Sequence, residues 1–434
     1  MKVPVVIVGA GACGLTAALA ARDAGAEVLV LERDASPSGS TALSSGFIPA
    51  AGTRYQQAAG IADSPELFAA DVQRKNHGEA EPRMVEIVTR AIGPTLEWLD
   101  DKHGLRFDVL RGFTYPGHSV LRMHALPEKT GEALMAALLR AAADVDILTS
   151  ARVTDVGRER VRFVRPDGKA EEVGYEALVL ACSGYGGNKE MVAKYLPEIA
   201  TSLYFGHVGN QGDAVRWGTA LGATVADMTA YQGHGSVATP HGILITWALM
   251  TEGGIQVNSD GERFSNEHLG YSEQCLPVVR QPGGIAWCIY DERLHQLGMT
   301  FPDYRDAHAA GAVKPAPELP QLKKTLTQVE RFVDGKEKDP FGRDFAGKPK
   351  LQPPYYGIKV TGALFHTQGG LVIDETARVL PLANVFAGGG AARGVSGAHV
   401  WGYLSGNGLL SAVALGRIAG ASAAKLAGCK SAMA

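Results

Sequence analysis

The chain opens with a pattern of apolar and polar positions that predicts a strand, a helix and a second strand. Residues 3–8 (VPVVIV) form an uninterrupted apolar run that is typical of a buried strand. A helix is predicted over residues 12–25, where Gly25 ends it, and a second strand over residues 27–32 (EVLVLE). Together these segments predict a parallel βαβ unit.

The rest of the chain alternates between helical and strand-like patterns around one polar insertion. Helices are predicted over residues 64–103 and 130–143, and strands near residues 145–149, 152–156, 160–165 and 177–181. Residues 229–300 mix short strands with Gly-rich loops, whereas residues 301–354 are polar and Pro-rich, with one amphipathic helix near 320–333. Strand-like segments return from residue 356, and an apolar helix follows the stretch HVWGYLSGNG (399–408).

Composition and charge exclude several classes of protein. A net charge of −3 over 434 residues argues against a nucleic-acid surface. The five cysteines, Cys13, Cys182, Cys275, Cys288 and Cys429, form no C-x-x-C motif, so we expect no disulfide framework, zinc site or attached haem, and a reducing, cytoplasmic setting. Because glycine interrupts the apolar runs, we expect no membrane insertion.

The first βαβ unit carries a dinucleotide-binding fingerprint. Gly9 permits a tight turn, Gly11 lets the backbone approach a pyrophosphate, and Gly14 allows close packing of helix and strand. Glu32 ends the second strand, where a carboxylate can accept hydrogen bonds from a ribose. The fingerprint does not distinguish FAD from NAD.

Two further segments favour FAD. Small and hydroxyl-bearing residues follow the second strand in SGSTALSSGFIPAAGTRYQ (38–56), and a glycine run with a helix start lies near the C-terminus. Two distant Gly-rich segments that meet one N-terminal fingerprint suit a long cofactor with a tricyclic head.

The chain resembles the FAD-binding flavoproteins related to fumarate reductase and succinate dehydrogenase. This group includes soluble fumarate reductases, tricarballylate dehydrogenase, urocanate reductase and, more distantly, 3-ketosteroid dehydrogenases. The resemblance rests on GAGACGLTAALAARDAGAEVLVLE, SGSTALSSGFIPAAGTRYQ, VLACSGYGGNKEMV, GNQGDAVRWGTALGATVADM, GGIQVNSDGERFSNE, KVTGALFHTQGGLVID and SGNGLLSAVALGRIAG, in the family's order over nearly the whole chain.

This resemblance implies an α/β fold with a Rossmann-like FAD-binding domain, interrupted by a smaller α+β capping domain. The FAD-binding domain would comprise residues 1–228 and 366–434, and the capping domain residues 229–365. Covalent members attach FAD through a histidine after the first βαβ unit. Residues 36–60 contain no histidine, so we expect non-covalent FAD.

The resemblance also implies a set of residues around the cofactor. The predicted FAD-binding residues are Gly9, Gly11, Ala12, Cys13, Gly14, Glu32, Arg33, Ser40, Thr41, Ser45, Gly46, Val153, Cys182, Ser183, Gly184, Asn210, Asp213, His366, Gly389, Gly390, Gly406, Asn407 and Leu409. No metal site is predicted, because the histidines lack ligand spacing.

Three predicted catalytic residues come from the same resemblance. Arg263 matches the proton donor of fumarate reductases, with an ion pair to Glu262 or Glu267 as the alternative interpretation. His366 matches a histidine that binds a substrate carboxylate, and His234 matches a second substrate-binding histidine. A capping or core role is the alternative for His366, and Gly235 and Ser236 stand where Pro–Thr usually follows the second histidine.

Two departures from the family pattern bear on the substrate. Thr251 and Glu252 are present, but the arginine that follows them in fumarate-active members is missing. Tyr403 stands where those members carry an arginine that clamps a substrate carboxylate. A neutral phenol suits a ketone oxygen or a ring, so Tyr403 is the fourth predicted catalytic residue. Glycines 406 and 408 lie where backbone N–H groups can stabilise negative charge on reduced flavin.

Three functions remain open from the sequence. The leading hypothesis is an FAD-dependent oxidoreductase that dehydrogenates or reduces a C–C bond adjacent to a carbonyl, on a cyclic ketone or mono-acid. The second is a di- or tricarboxylate enzyme that uses Arg122 or Arg393 as a replacement clamp. The third is a flavin subunit that passes electrons to a partner protein. Each requires an electron donor or acceptor besides the small-molecule substrate.

Overall fold

The computed structural model describes residues 2–428 and shows an α/β fold. Cys429, one of the five predicted free thiols, lies outside the described residues. The helices are α1 Ala12–Asp23, α2 Gly39–Ala42, α3 Arg54–Ala58, α4 Pro65–Lys75, α5 Pro82–His103, α6 Gly131–Ala141, α7 Lys189–Tyr195, α8 Asp213–Ala220, α9 Ala248–Thr251, α10 Tyr271–Val279, α11 Glu292–Gly298, α12 Pro302–Ala309, α13 Leu322–Val333 and α14 Asn407–Leu426.

The strands form two large sheets and two small ones. They are β1 Lys2–Val8, β2 Val28–Leu31, β3 Ile48–Pro49, β4 Asp108–Val109, β5 Met123–Ala125, β6 Asp146–Leu148, β7 Arg152–Val156, β8 Arg160–Val164, β9 Ala170–Leu180, β10 Leu203–Tyr204, β11 Val225–Ala226, β12 Tyr231–Ala238, β13 Ile243–Leu244, β14 Ile255–Val257, β15 Ile285–Asp291, β16 Lys314–Pro315, β17 Tyr355–Thr367, β18 Gly370–Leu371 and β19 Val385–Ala387.

The first large sheet contains the predicted βαβ unit. Its order is β6-β2-β1-β9-β8-β7, and β19 pairs with β9. Strands β2, β1, β9 and β19 run parallel, so their carboxyl ends meet at one edge. The predicted helix ends at Asp23 rather than at Gly25, whose φ of 84° turns the chain into β2.

The segment 64–103 is two helices, not the single helical segment that the pattern predicts. Ser64 caps α4 by accepting a hydrogen bond from the Leu67 backbone N–H. The chain then turns through Gly78, at φ 79°, and Glu81 caps α5 with Pro82 in its first turn. Helical periodicity alone did not register this break, because the apolar positions resume after the turn.

The second large sheet is antiparallel apart from one short pair. Its order is β13-β12-β17-β15-β14, with β10 and β16 also paired to β17. Strand β17 runs through the predicted boundary at 365/366 and ends at Thr367. The polar insertion packs beside this sheet and contains two helices, α12 and the predicted amphipathic helix α13.

Helix α14 packs against α1 at very short range. A Cβ added to Gly416 would lie 2.6 Å from the Cys13 carbonyl oxygen, and one added to Gly420 would lie 2.0 Å from the Ala17 oxygen. The matching order of these contacts makes the two helices parallel. From the sequence we expect no membrane-spanning segment, because glycine interrupts the apolar runs. This 20-residue helix nevertheless has the length and hydropathy of a membrane span, although 56% of its most apolar window is buried inside the fold.

We predict that Gly420→Ala destabilises the protein. The new methyl group would overlap the Ala17 carbonyl and force α14 away from α1, which should lower the free energy of unfolding by about 1–3 kcal/mol. Urea denaturation measures this change. Ala421→Ser, at the neighbouring exposed position, is the control and should change the value by less than about 0.5 kcal/mol. Equal loss in both variants would contradict the packing argument.

Candidate active site

One long cavity runs from the carboxyl edge of the parallel sheet to the second large sheet. The predicted residues on its wall are Gly9, Gly11, Ala12, Cys13, Glu32, Arg33, Ser40, Thr41, Ser45, Val153, Cys182, Ser183, Asn210, Asp213, His234, His366, Gly389, Gly390, Tyr403, Gly406 and Leu409. The structure thus brings together segments that are up to 400 residues apart in the chain. Gly14, Gly46, Gly184, Asn407 and Arg263 do not line it.

The three fingerprint glycines have different structural roles. Gly9 has φ 103°, and a Cβ there would lie 2.6 Å from the Ala181 carbonyl oxygen. A Cβ on Gly14 would lie 1.8 Å from the Gly9 oxygen, so Gly14 is a packing residue behind the turn. Gly11 faces the cavity, with only Thr41 Oγ1 at 3.4 Å. Gly11 therefore leaves the backbone at the start of α1 open to an anionic group.

The polar groups at this end are already oriented. The Glu32 carboxylate is buried and accepts hydrogen bonds from the Ala10 N–H at 2.8 Å and the Asp34 N–H at 2.9 Å. Asn210 Nδ2 donates to Ser40 Oγ at 2.8 Å, which ties the loop before α8 to α2. Glu32 keeps free lone pairs for a ribose, as the fingerprint predicts.

The offset between α1 and α14 matches an extended dinucleotide. Cys13, the second residue of α1, packs beside Gly416, the tenth residue of α14. The N-terminus of α14 therefore projects beyond that of α1 by about eight helical residues, or about 12 Å along the axis. Both helix N-termini therefore face one cavity, as a pyrophosphate and a distant ring system require. Near the start of α14, the buried Asn407 Oδ1 and Ser411 Oγ atoms have no partner among the described residues. These features fit FAD.

Aromatic rings surround the far end of the cavity. His234 stacks on Tyr271 with ring centroids 4.6 Å apart, and Phe205 stacks on Phe365 at 4.9 Å. Tyr403 lies between Tyr271 and His366, at 6.2 and 5.4 Å. This end is thus a largely apolar pocket with a few polar atoms, which is the usual character of a small-molecule site.

Two tyrosine side chains adjoin in this pocket. Tyr403, Tyr271 and Ser405 all lie on the cavity wall, and the Tyr403 and Tyr271 ring centroids are 6.2 Å apart. The Gly408 N–H points to Tyr403 Oη at 3.5 Å. Burial raises the pKa of Tyr403 to about 12 and raises the pKa of Tyr271 well above its ordinary value, so both phenols are neutral at pH 7.

Sequence reasoning missed Tyr271. It lies at the first position of α10, directly after Gly270, whose φ is 142°. No motif marks it, and it is eight residues beyond the arginine that the resemblance singled out. The one available signal was an aromatic residue at a Gly-preceded helix start.

The two predicted histidines are on the cavity wall and are held neutral. Burial lowers the pKa of His366 to about 4 and that of His234 to about 3. His366 Nδ1 accepts from Gln368 Nε2 at 2.8 Å, and His234 Nδ1 accepts from the Ser236 N–H at 3.1 Å. Each ring therefore keeps its proton on Nε2, where it can donate a hydrogen bond to a substrate.

The prediction that Arg263 is the proton donor is not supported by its position. Its guanidinium is buried away from the cavity and binds Glu267 at 2.7 Å and Asp339 at 2.5 Å. Arg343 shares Glu267 at 3.1 Å, so two cations and two anions neutralise one another. The alternative interpretation, an ion pair with Glu267, is the one the structure shows.

The other candidate cations are also engaged elsewhere. Arg122 is fully buried between Asp63 and Asp71, at 2.8 and 2.6 Å, and Arg393 binds Asp227 at 2.6 Å. Neither lines the cavity. Thr251 donates to the Ala248 carbonyl and Glu252 pairs with Lys348 at 3.2 Å, and neither residue lines the cavity.

A comparison with known proteins identifies the family. A profile described as FAD binding domain matches residues 4–409. The chain belongs to the FAD-binding flavoproteins. It is 30% identical to a probable fumarate reductase of Shewanella frigidimarina over 444 aligned residues, which cover 97% of this chain and 74% of that protein.

Two solved structures are similar over nearly the whole flavoprotein chain. The open conformation of a flavocytochrome c3 fumarate reductase has a TM-score of 0.83 at 28% identity, covering 98% of this chain and 78% of that one. A 3-ketosteroid-Δ4-(5α)-dehydrogenase of Rhodococcus jostii, solved with 4-androstene-3,17-dione, has a TM-score of 0.77 at 25% identity, covering 98% and 97%. The flavoprotein is therefore an FAD-dependent oxidoreductase, as the sequence predicted; non-covalent attachment stays a prediction.

We predict that the flavoprotein loses stability as the pH falls from 7 to 5. His118, His124, His234 and His366 have their pKa lowered to between about 3 and 4, whereas an unfolded histidine titrates near about 6.5. The unfolded chain thus binds more protons in this window. Below pH 6.5 each histidine should remove about 1.4 kcal/mol of unfolding free energy per pH unit.

Urea denaturation at several pH values measures the slope. His124→Gln removes one of the four rings. It should therefore reduce the slope of the unfolding free energy against pH by about 1.4 kcal/mol per pH unit. His241→Gln, at an exposed position, is the control and should leave the slope unchanged. Stability that does not change between pH 7 and pH 5 would contradict the buried neutral state of these rings.

Proposed function

We propose that this flavoprotein dehydrogenates or reduces a C–C bond next to the carbonyl of a neutral cyclic ketone. The observation that carries the proposal is the pair Tyr271 and Tyr403, two neutral phenols that meet at the aromatic end of the cavity. Hydrogen bonds from neutral donors suit a carbonyl oxygen, whereas a dicarboxylate calls for guanidinium groups.

The charges on the cavity wall support the same substrate class. Within residues 229–365, all of which the structure describes, Asp303 is the only charged side chain on the wall. An acid at this position repels a carboxylate. The cations on the wall are Arg33, Lys129 and Arg152, which come from the segments around β2, α6 and β7 and thus from the dinucleotide half. Arg33 is further occupied by the Gly209 carbonyl at 3.0 Å.

The geometry supports a role for each hydroxyl. Bound FAD supplies hydride acceptor or donor chemistry. Because Tyr403 Oη faces the Gly408 N–H, its own proton is free to bond the substrate carbonyl oxygen and to stabilise the negative charge that develops there. Tyr271 takes or gives the proton at the adjacent carbon, with Ser405 also on the cavity wall.

Other functions are also proposed. A mono-acid substrate, a di- or tricarboxylate substrate and a flavin subunit for a partner protein are the alternatives. An electron donor or acceptor, either a small molecule or a protein, must complete the cycle.

We also propose the division at residues 228/229 and 365/366 into an FAD-binding domain and a capping domain. A cytoplasmic location is proposed as well, and the unbridged thiols of Cys13, Cys182, Cys275 and Cys288 support it.

We predict that Tyr403→Phe and Tyr271→Phe each lower kcat on a cyclic enone by about 100-fold or more. Each variant keeps the ring in the aromatic pocket but removes the donor or the proton carrier. Steady-state rates with dithionite-reduced or artificial-dye-coupled protein measure the change. Tyr356→Phe, whose hydroxyl bonds Glu292 outside the cavity, is the matched control and should keep wild-type kcat.

A second variant separates the ketone from the dicarboxylate function. Tyr403→Arg restores a cation where fumarate-active relatives carry one, so fumarate should bind more tightly to it than to wild type while enone turnover falls. Wild-type protein that reduces fumarate as fast as any enone, with no loss in Tyr403→Phe, would overturn the proposal.

A further inference from the structure

A buried histidine touches the loop that carries the proposed catalytic groups. His118 is buried, and its Nε2 lies 3.0 Å from the carbonyl oxygen of Ser405. It does not line the cavity itself. This contact joins the segment before β5 to the start of α14, across 287 positions of the sequence.

The surroundings of His118 fix which nitrogen carries its proton. Arg122 Nη1 lies 3.2 Å from His118 Nδ1, and a guanidinium can only donate. Nδ1 therefore accepts, and the Nε2–H donates to the Ser405 carbonyl. Burial, together with the Arg122 charge, lowers the pKa of His118 to about 4, so this tautomer persists at neutral pH.

Arg122 is itself rigidly held. Its Nε and Nη2 donate to Asp63 at 2.8 Å each, its Nη1 donates to Asp71 at 2.6 Å, and Phe68 lies beneath the guanidinium at 4.5 Å. Asp71 in turn accepts from the Ser119 N–H and hydroxyl, at 2.8 and 2.6 Å. Arg122 is thus held by two carboxylates and one aromatic ring. The His118 imidazole cannot turn without breaking its hydrogen bond to this guanidinium.

Ser405 is the residue through which this network reaches the chemistry. It lines the cavity, as Tyr271 does, and lies two residues after Tyr403. The next residue, Gly406, has φ 87°, and a Cβ there would meet Pro49 at 2.4 Å, so the loop has one tight path into α14. The direction of the Ser405 carbonyl therefore determines where the Ser405 hydroxyl and the Gly408 N–H point.

We propose that His118 is a positioning residue that aligns Ser405, Tyr403 and Gly408 for the reaction. The inference rests on the proposed function, because it gives these three groups their roles. His118 acts only through the Ser405 carbonyl and touches no reacting atom. A displacement of reacting groups by about 1 Å costs about 100-fold in rate, which sets the scale of the effect.

Substitutions at position 118 distinguish positioning from packing. His118→Gln retains both an acceptor for Arg122 and a donor that reaches Ser405. His118→Asn retains the acceptor but is too short to reach Ser405, so Arg122 stays satisfied while the Ser405 carbonyl loses its donor. We expect kcat to fall about 100-fold in His118→Asn, with KM changed less, and to recover to within about 5-fold of wild type in His118→Gln.

His103→Asn is the matched control, because His103 is also a buried histidine, paired with Asp23 at 3.2 Å and remote from the cavity. It should keep wild-type kcat. Thermal unfolding of all variants checks that they fold. A His118→Asn protein that folds and retains wild-type kcat, or a His118→Gln protein no faster than His118→Asn, would overturn the inference.

A measurement without substrate keeps this test separate from the proposed function. Nitrogen-15 NMR of histidine-labelled protein, with the His118 signal assigned from the His118→Gln spectrum, should show a neutral ring protonated on Nε2 from pH 6 to pH 8. A ring protonated on Nδ1, or one that titrates in this range, would refute the inference whatever the substrate is. If fumarate rather than an enone is the substrate, the same kinetic comparison is made with fumarate, so that the proposed function fails while His118 is still tested.

Discussion

The close approach of α1 and α14 is the constraint on which the rest of the site depends. Because Gly416 and Gly420 carry no side chain, α14 lies directly against the backbone of Cys13 and Ala17. This contact sets the two helices parallel with a fixed offset, so that both N-termini face one cavity. The first N-terminus provides the Gly-rich turn for a pyrophosphate. The second carries Tyr403 through Gly408 into the aromatic pocket, and the chemistry follows from what that loop presents.

The side chains at the aromatic end of the cavity are neutral. Tyr403, Tyr271 and the two histidines on the wall are uncharged at pH 7, since burial disfavours every charged form in the pocket. Arg263 does not line the pocket, and its charge is neutralised by Glu267 and Asp339. The fold is similar to that of a fumarate reductase and to that of a ketosteroid dehydrogenase. The substrate class must therefore be argued from the chemistry of the pocket.

The sequence predicted the parts of the structure that depend on local pattern. The βαβ unit and the place of Tyr403 each rest on spacing within one segment, and the FAD family rests on several such segments in order along the chain. The motif fixes the position of Arg263 in the chain but not the direction of its side chain, and its partner Asp339 lies 76 residues away in the polar insertion. Tyr271 was missed for the same reason, since its neighbours Tyr403 and His234 reach it only through the tertiary fold.

The central claim is that the pocket binds a neutral carbonyl compound, and reoxidation of the reduced flavin tests it most directly. The purified protein is reduced with dithionite under anaerobic conditions, and flavin absorbance is followed after addition of a cyclic enone, an enone steroid, an unsaturated mono-acid or fumarate. We predict rapid reoxidation of the reduced flavin by an enone and none by fumarate. Reoxidation by fumarate alone would contradict it, because the pocket would then bind a dianion without a cation from the described residues on its substrate side.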